Sequence, residues 1–140
     1  MNLPRFHLAF PVHDLDAARK FYSKILGCII GRESESWIDF NLCGHQIVAH
    51  LSPGDCKPSR LNPVDNDDIP CRHFGLILKW KDWESLKEKF KKLDYPFLVK
   101  PKIRFKSKPG EQGTFFINDP SGNTLEFKTF KYDSMVFEKF

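Results

Sequence analysis

The stretch FHLAFPVHDLDAARKFYSKILG, from Phe6 to Gly27, carries two periodicities in succession. FHLAFPV, residues 6–12, alternates as a short strand does, with Phe6, Leu8 and Phe10 on one face and His7 and Ala9 on the other. Leu15, Ala18, Phe21, Tyr22, Ile25 and Leu26 then repeat at helical spacing behind Asp14, an N-cap residue, and Gly27 supplies the stop. Three strand-like runs follow, at Cys28–Arg32, Trp37–Leu42 and Gln46–Leu51, the last two joined by a turn around Gly44. The order is βαβββ.

Beyond residues 52–71 the same order returns. RHFGLILKW, Arg72 to Trp80, reads as a strand, and Asp82 caps a helix whose apolar face is Trp83, Leu86, Phe90 and Leu93. Strand runs come at Phe97–Lys100, Gly113–Asn118 and Thr124–Thr129, with a turn at Pro120, Ser121 and Gly122 before the last. The halves share element order and almost no residues. The expectation is therefore one α+β domain over residues 1–140: module one at 4–51, a linker at 52–71, module two at 72–130 and a C-terminal tail at 131–140. Paired, two βαβββ modules form a curved mixed sheet around a cavity, with helices on the outer face. The linker, SPGDCKPSRLNPVDNDDIPC, has four prolines and no sustained period, as a functional or mobile connection does. The tail YDSMVFEKF has enough apolar residues to dock on the body.

Composition supports a globular chain. With 140 residues and 41% hydrophobic content, one core buries roughly two-thirds of the unfolded surface and needs no disulfide. The 14 phenylalanines are more ring surface than a small core requires, so part is expected to line a pocket. Net charge is only +4, and Lys79, Lys81, Lys87, Lys89, Lys91 and Lys92 read as the solvated face of one helix rather than a nucleic-acid stripe. Cys28, Cys43, Cys56 and Cys71 form no CxxC pair, and the N-terminus has no long apolar run, so free thiols and a cytoplasmic setting are expected. No apolar run reaches the length of a membrane span.

Face parity selects the chemistry. His7, His73 and Glu126 each lie on the strand face that does not pack on a helix, and His50 follows with Gln46 and Val48. A glutamate between Leu125 and Phe127 is costly to bury unless paired or bound to a metal. Any one of these histidines alone is more often structural. Placed jointly, with His7 matching His73 and His50 matching Glu126 between the halves, they suit Fe(II), Mn(II), Zn(II) or Ni(II). His13 and His45 read as surface residues; Arg104, Lys106 and Lys108 suit either binding of a carboxylate or phosphate or solvation of a loop, the latter favoured. Lys128 shares the face of Glu126.

FHLAFPVHDLDAARKFYSKILG, RHFGLIL and FINDPSGNTLEFKTF together resemble the vicinal oxygen chelate superfamily of glyoxalase I, extradiol dioxygenases, epimerases and fosfomycin resistance proteins. DPSGNTLEF is the most specific piece. The resemblance implies a metal cup with ligands at His7, His50, His73 and Glu126, and a substrate chelated through neighbouring oxygens. Extradiol dioxygenases use a His, His, Glu set like His7, His73 and Glu126, whereas glyoxalase I and epimerases place a Glu or Gln where His50 stands. The reading is thus a metal-dependent, dioxygenase-like enzyme, Fe(II) or Mn(II) favoured, with His50 as ligand or base. Isomerase or lyase chemistry, or a binding or resistance protein, is the alternative. A homodimer and a small-molecule substrate follow from the resemblance; the lysine pattern and the lack of a long apolar run speak against nucleic acid and membrane as partners.

Overall fold

The computed structural model describes residues 3–64 and 66–139. Its contacts fall into two compact units, one reaching Pro58 and including Asp119–Asn123, the other holding Ser59–Asn118 and the chain from Thr124 onward.

In the first unit, β1 (His7–Val12) leads to α1 (Leu15–Arg19), then β2 (Ile29–Glu33), β3 (Trp37–Leu42) and β4 (His45–Leu51). The sheet order is β1-β4-β3-β2, with β1 parallel to β4 and the other pairs antiparallel. Asp14 caps α1 through its carboxylate, which accepts from the Ala17 N–H at 3.0 Å. The helix does not continue as α: Lys20–Ile25 is π-helical, and the Leu26 N–H reaches the Phe21 carbonyl. The wider turn lets adjacent Phe21 and Tyr22 both be buried, their rings edge-on at 4.8 Å, with Phe10 and Phe40 against Tyr22. Each such ring contributes on the order of 2 kcal/mol by leaving water. Gly27, at φ +83°, ends the helix as expected.

In the second unit the linker is not unstructured. β5 (Arg60–Val64) and β6 (Asp67–Cys71) form an antiparallel hairpin in a sheet of their own. No period announces β5 because all five of its residues are exposed. β7 (Phe74–Ile77), α2 (Trp80–Lys92), β8 (Phe97–Arg104), β9 (Gln112–Asn118) and β10 (Thr124–Phe130) complete the unit. Sheet order is β7-β10-β9-β8, with β7 parallel to β10. The element order and pairing of the first unit recur.

Helix α2 starts three residues earlier than the sequence suggests. Its N-cap is Lys79, with no side-chain bond, and Asp82 sits in the first turn, where a negative charge still favours the helix dipole. Trp83 and Phe90 are buried against Phe97, Phe115 and Phe127, and the Trp83 indole donates to the Phe127 carbonyl at 2.9 Å. Phe115 is thus a core residue, and half of the 14 phenylalanines lie in these two ring clusters. The α2 lysines are exposed except Lys87, which pairs with Glu84 and lies over the Trp83 ring. In the tail, a 3-10 turn at Asp133–Phe137 half-buries Met135 and Val136 and leaves Phe137 exposed. All four cysteines are free. Among the described residues no helix is long and apolar enough to cross a membrane.

Candidate metal centre

His73 stands at the junction of the hairpin and β7, and Glu126 is the third residue of β10. The approach of their strands is unusually close. Gly75 pairs with Glu126, and a Cβ at Gly75 would lie 1.6 Å from the Glu126 carbonyl oxygen. Glycine is required there by space rather than by dihedral freedom. Here His73 Nε2 faces Glu126 Oε1 at 3.3 Å.

The other contacts of this pair fix its protons. His73 Nδ1 lies 2.7 Å from the Pro70 carbonyl oxygen, an acceptor, so Nδ1 carries a hydrogen and donates it. Phe116 stands edge-on to the imidazole at 5.1 Å. Glu126 Oε2 accepts from the Thr114 hydroxyl at 2.6 Å, and the Lys128 ammonium is 4.0 Å from Oε1. With Nδ1 committed, Nε2 and Oε1 present lone pairs to each other unless a proton or a cation lies between them. Two donors bound to one ion at about 2.1 Å and roughly right-angled to tetrahedral geometry sit about 3.0–3.4 Å apart. The observed spacing fits. The hydrogen bond to Glu126 holds His73 above the usual histidine range, against burial and with help from Pro70. Burial pushes Glu126 up, but His73, Thr114 and Lys128 together outweigh it and leave the carboxyl below its usual value.

In the first unit, His7 opens β1 and is level with Gln46, and its Nδ1 lies 2.8 Å from Gln46 Oε1. His50 is level with Pro11, four residues along the same parallel pair. That is about 13 Å along the strand. Both histidines are exposed. Among the described residues, no three His, Cys, Asp or Glu side chains form a group able to hold a metal ion. Of the four expected ligands, the structure brings together His73 and Glu126.

Register also corrects the matching of the halves. Phe74 pairs with Leu125, so His73 is level with Thr124 and Glu126 lies two residues beyond. Counted likewise from His7 and Gln46, the counterpart of Glu126 is Val48, and that of His50 is Lys128. Parity had placed Val48 and His50 on one face and could not choose between them.

One further expectation changes, at Arg104, while His13 and His45 are not buried and the turn before β10 forms as expected. Arg104 is not a loop cation: it is 4% exposed, its guanidinium donating to the Val64 carbonyl at 3.2 Å and to Asp67 Oδ2 at 3.0 Å. Lys102 pairs with the same carboxylate. His13 binds the Ser121 hydroxyl through Nδ1 at 2.7 Å, and His45 Nδ1 accepts from the Phe6 N–H at 2.9 Å. The DPSGN turn owes its residues to structure. Asp119 is buried and accepts from the Tyr22 hydroxyl (2.7 Å), the N–H groups of Ser121 and Asn123 (2.9 and 2.8 Å) and the Asn123 amide (2.9 Å).

Comparison with known proteins agrees with this fold. The family model described as the Glyoxalase/Bleomycin resistance protein/Dioxygenase superfamily matches residues 6–127. A solved glyoxalase/bleomycin resistance protein/dioxygenase from Alicyclobacillus acidocaldarius is 36% identical, with 96% of each chain covered and a TM-score of 0.79. The lactoylglutathione lyase of Agrobacterium tumefaciens is 18% identical, with 90% of this chain and 92% of that one covered and a TM-score of 0.63. The fosfomycin resistance protein FosX of Listeria monocytogenes is 15% identical, with 97% of this chain and 100% of that one covered and a TM-score of 0.67. At such identities the last two share the fold alone. A comparison with curated proteins found no match.

Proposed function

Because this chain belongs to the glyoxalase/bleomycin resistance protein/dioxygenase superfamily, we propose that it is a divalent-metal-dependent enzyme acting on a small molecule with neighbouring oxygens. The observation that carries this reading is the His73–Glu126 pair: two lone-pair donors 3.3 Å apart, with His73 Nδ1 already committed to Pro70. His73 and Glu126 hold the ion, and His7 is the third donor. His50 stands outside this set, since its register matches Lys128 rather than Glu126. When bound, the ion supplies Lewis acidity toward a chelated substrate. Thr114 keeps one Glu126 oxygen occupied, so the other is the donor, and the Lys128 ammonium suits an anionic substrate oxygen.

Val48 in the place of a fourth ligand leaves three donors and no carboxylate base at that position. That favours dioxygenase-like oxidation with Fe(II) or Mn(II). The second reading, isomerase or lyase chemistry with Zn(II) or Ni(II), rests on His50, an exposed imidazole two residues from Val48 and a side chain of the type that serves as a general base. A homodimer is part of the proposal, checked by light scattering.

Metal analysis of protein purified without added metal, repeated on Glu126→Ala, tests the site. Near-stoichiometric metal in the parent and less than about a tenth of it in the variant is expected. Full metal in Glu126→Ala refutes the assignment. Oxygen uptake with catechol-type compounds after Fe(II) loading supports oxidation. Proton exchange at a substrate carbon that His50→Ala abolishes supports the second reading instead.

A further inference from the structure

A chain of polar contacts leads away from His7 inside the first unit. Gln46 Oε1 lies 2.8 Å from His7 Nδ1, while Gln46 Nε2 donates to Asp39 Oδ2 at 3.3 Å. Asp39 is 8% exposed, flanked on β3 by the buried Ile38 and Phe40, and Arg32 Nε stands 3.7 Å from the same Oδ2. A carboxylate beside a guanidinium only accepts hydrogen bonds. Asp39 therefore selects the Gln46 rotamer whose NH2 points to it, which turns the Gln46 carbonyl oxygen toward His7. A carbonyl oxygen also only accepts, so the hydrogen of neutral His7 must sit on Nδ1. Nε2 is left with its lone pair outward. Without this constraint either ring nitrogen is free to carry the hydrogen.

We propose that Gln46, oriented by Asp39 and Arg32, is the positioning residue that sets the tautomer of His7 and presents its Nε2 as an electron-pair donor. The importance of that donor rests on the metal reading above; the tautomer itself does not. Neither Gln46 nor Asp39 touches the ion. They act through His7.

The test uses the full-length protein. Nitrogen-15 NMR of the imidazoles, on metal-free protein above the histidine titration range, reads the tautomer directly, and Zn(II) titration reads the donor. In the parent, His7 is expected as mainly the Nδ1–H form. Gln46→Met should shift it to mainly Nε2–H and weaken Zn(II) about tenfold, in the range that groups orienting a metal-bound histidine contribute. Gln46→Glu, which keeps an acceptor oxygen, should hold Nδ1–H and bind Zn(II) within about threefold of the parent. Asp39→Ala, which frees the Gln46 amide to turn over, should give a mixed tautomer. An unchanged tautomer in Gln46→Met overturns the inference even if His7→Ala loses Zn(II), and leaves the metal reading standing. A shifted tautomer with Zn(II) affinity unmoved in both Gln46→Met and His7→Ala overturns the donor role and removes His7 from the metal set.

Discussion

The two units hold equivalent histidines by different means. His7 is oriented by a side chain, Gln46, itself turned by Asp39. His73 is oriented by a backbone carbonyl, Pro70, at the inner end of the β5–β6 hairpin. A side-chain orienter can be removed by one substitution, with the sheet left intact. A carbonyl cannot be substituted; it has to be displaced. The hairpin is accordingly anchored, by Arg104 and Lys102 on Asp67 and by Ile69 packing with Val99 and Phe116. The segment that looks like a linker is the mount of the better-defined half of the candidate centre.

The largest expected effect comes from the place where the two strand pairs differ most. Ala9 lies opposite Val48 in the first unit, and Gly75 lies opposite Glu126 in the second. Gly75→Ala puts a methyl group against the Glu126 carbonyl, and β7 and β10 have to separate. Urea denaturation should show a loss of about 4 kcal/mol or more, at the upper end for overpacking. Ala9→Gly should cost about 1 kcal/mol or less. Equal losses would mean that the second pair is no more tightly packed than the first.

Asp119→Ala comes next. It strips the acceptor from Tyr22 and the DPSGN turn, leaving several donors unpaired, with an expected cost of about 3 kcal/mol. Arg104→Met is smaller, about 2 kcal/mol, since Asp67 is partly exposed and keeps Lys102. Its signature is local: faster amide exchange over residues 60–71 and a broadened His73 imidazole signal, with His7 unaffected. The Lys102 hydrogen bond, ahead of a slight opposing burial effect, holds the Asp67 carboxyl below its usual value. A depressed folded pKa contributes stability above the unfolded pKa and loses it as pH falls through the folded one. The stability gap between parent and Asp67→Asn should therefore be constant near neutrality and close below about pH 4.

What was legible in the sequence follows the same division. Alternation on a strand fixes the face of each residue, so the sequence places His7, Val48, His50, His73 and Glu126 on the strand faces turned away from the helices. It does not fix level along the strand, which depends on the partner, so alternation alone cannot separate Val48 from His50 as the match of Glu126. The hairpin carries no such signal, because β5 is exposed along its whole length and Pro63 and Pro70 break any period. Asp39 left a usable sign: in WIDFNL it lies between Ile38 and Phe40, the pattern that singled out Glu126 between Leu125 and Phe127. Such a carboxylate has a partner, and here the partner led to His7. The π-helical turn at Lys20–Ile25 left no sign, since Leu15 to Leu26 suits either winding.

The smallest effect separates the two units by chemistry. Burial, with a lesser contribution from Cys43, pushes the Cys28 thiol up to about 12. At pH 8 Cys28 is then held as the unreactive thiol. Iodoacetamide should label exposed Cys43 and Cys71 first and leave Cys28 unmodified until the first unit opens. The Cys28 N–H bonds to the Tyr22 carbonyl, and the Tyr22 hydroxyl bonds to Asp119, so Asp119→Ala should speed Cys28 labelling by about tenfold or more. Arg104→Met, which loosens only the hairpin, should leave the Cys28 rate unchanged. If both variants sped Cys28 equally, the units would open together, and the side-chain and backbone mounts would share one cooperative transition.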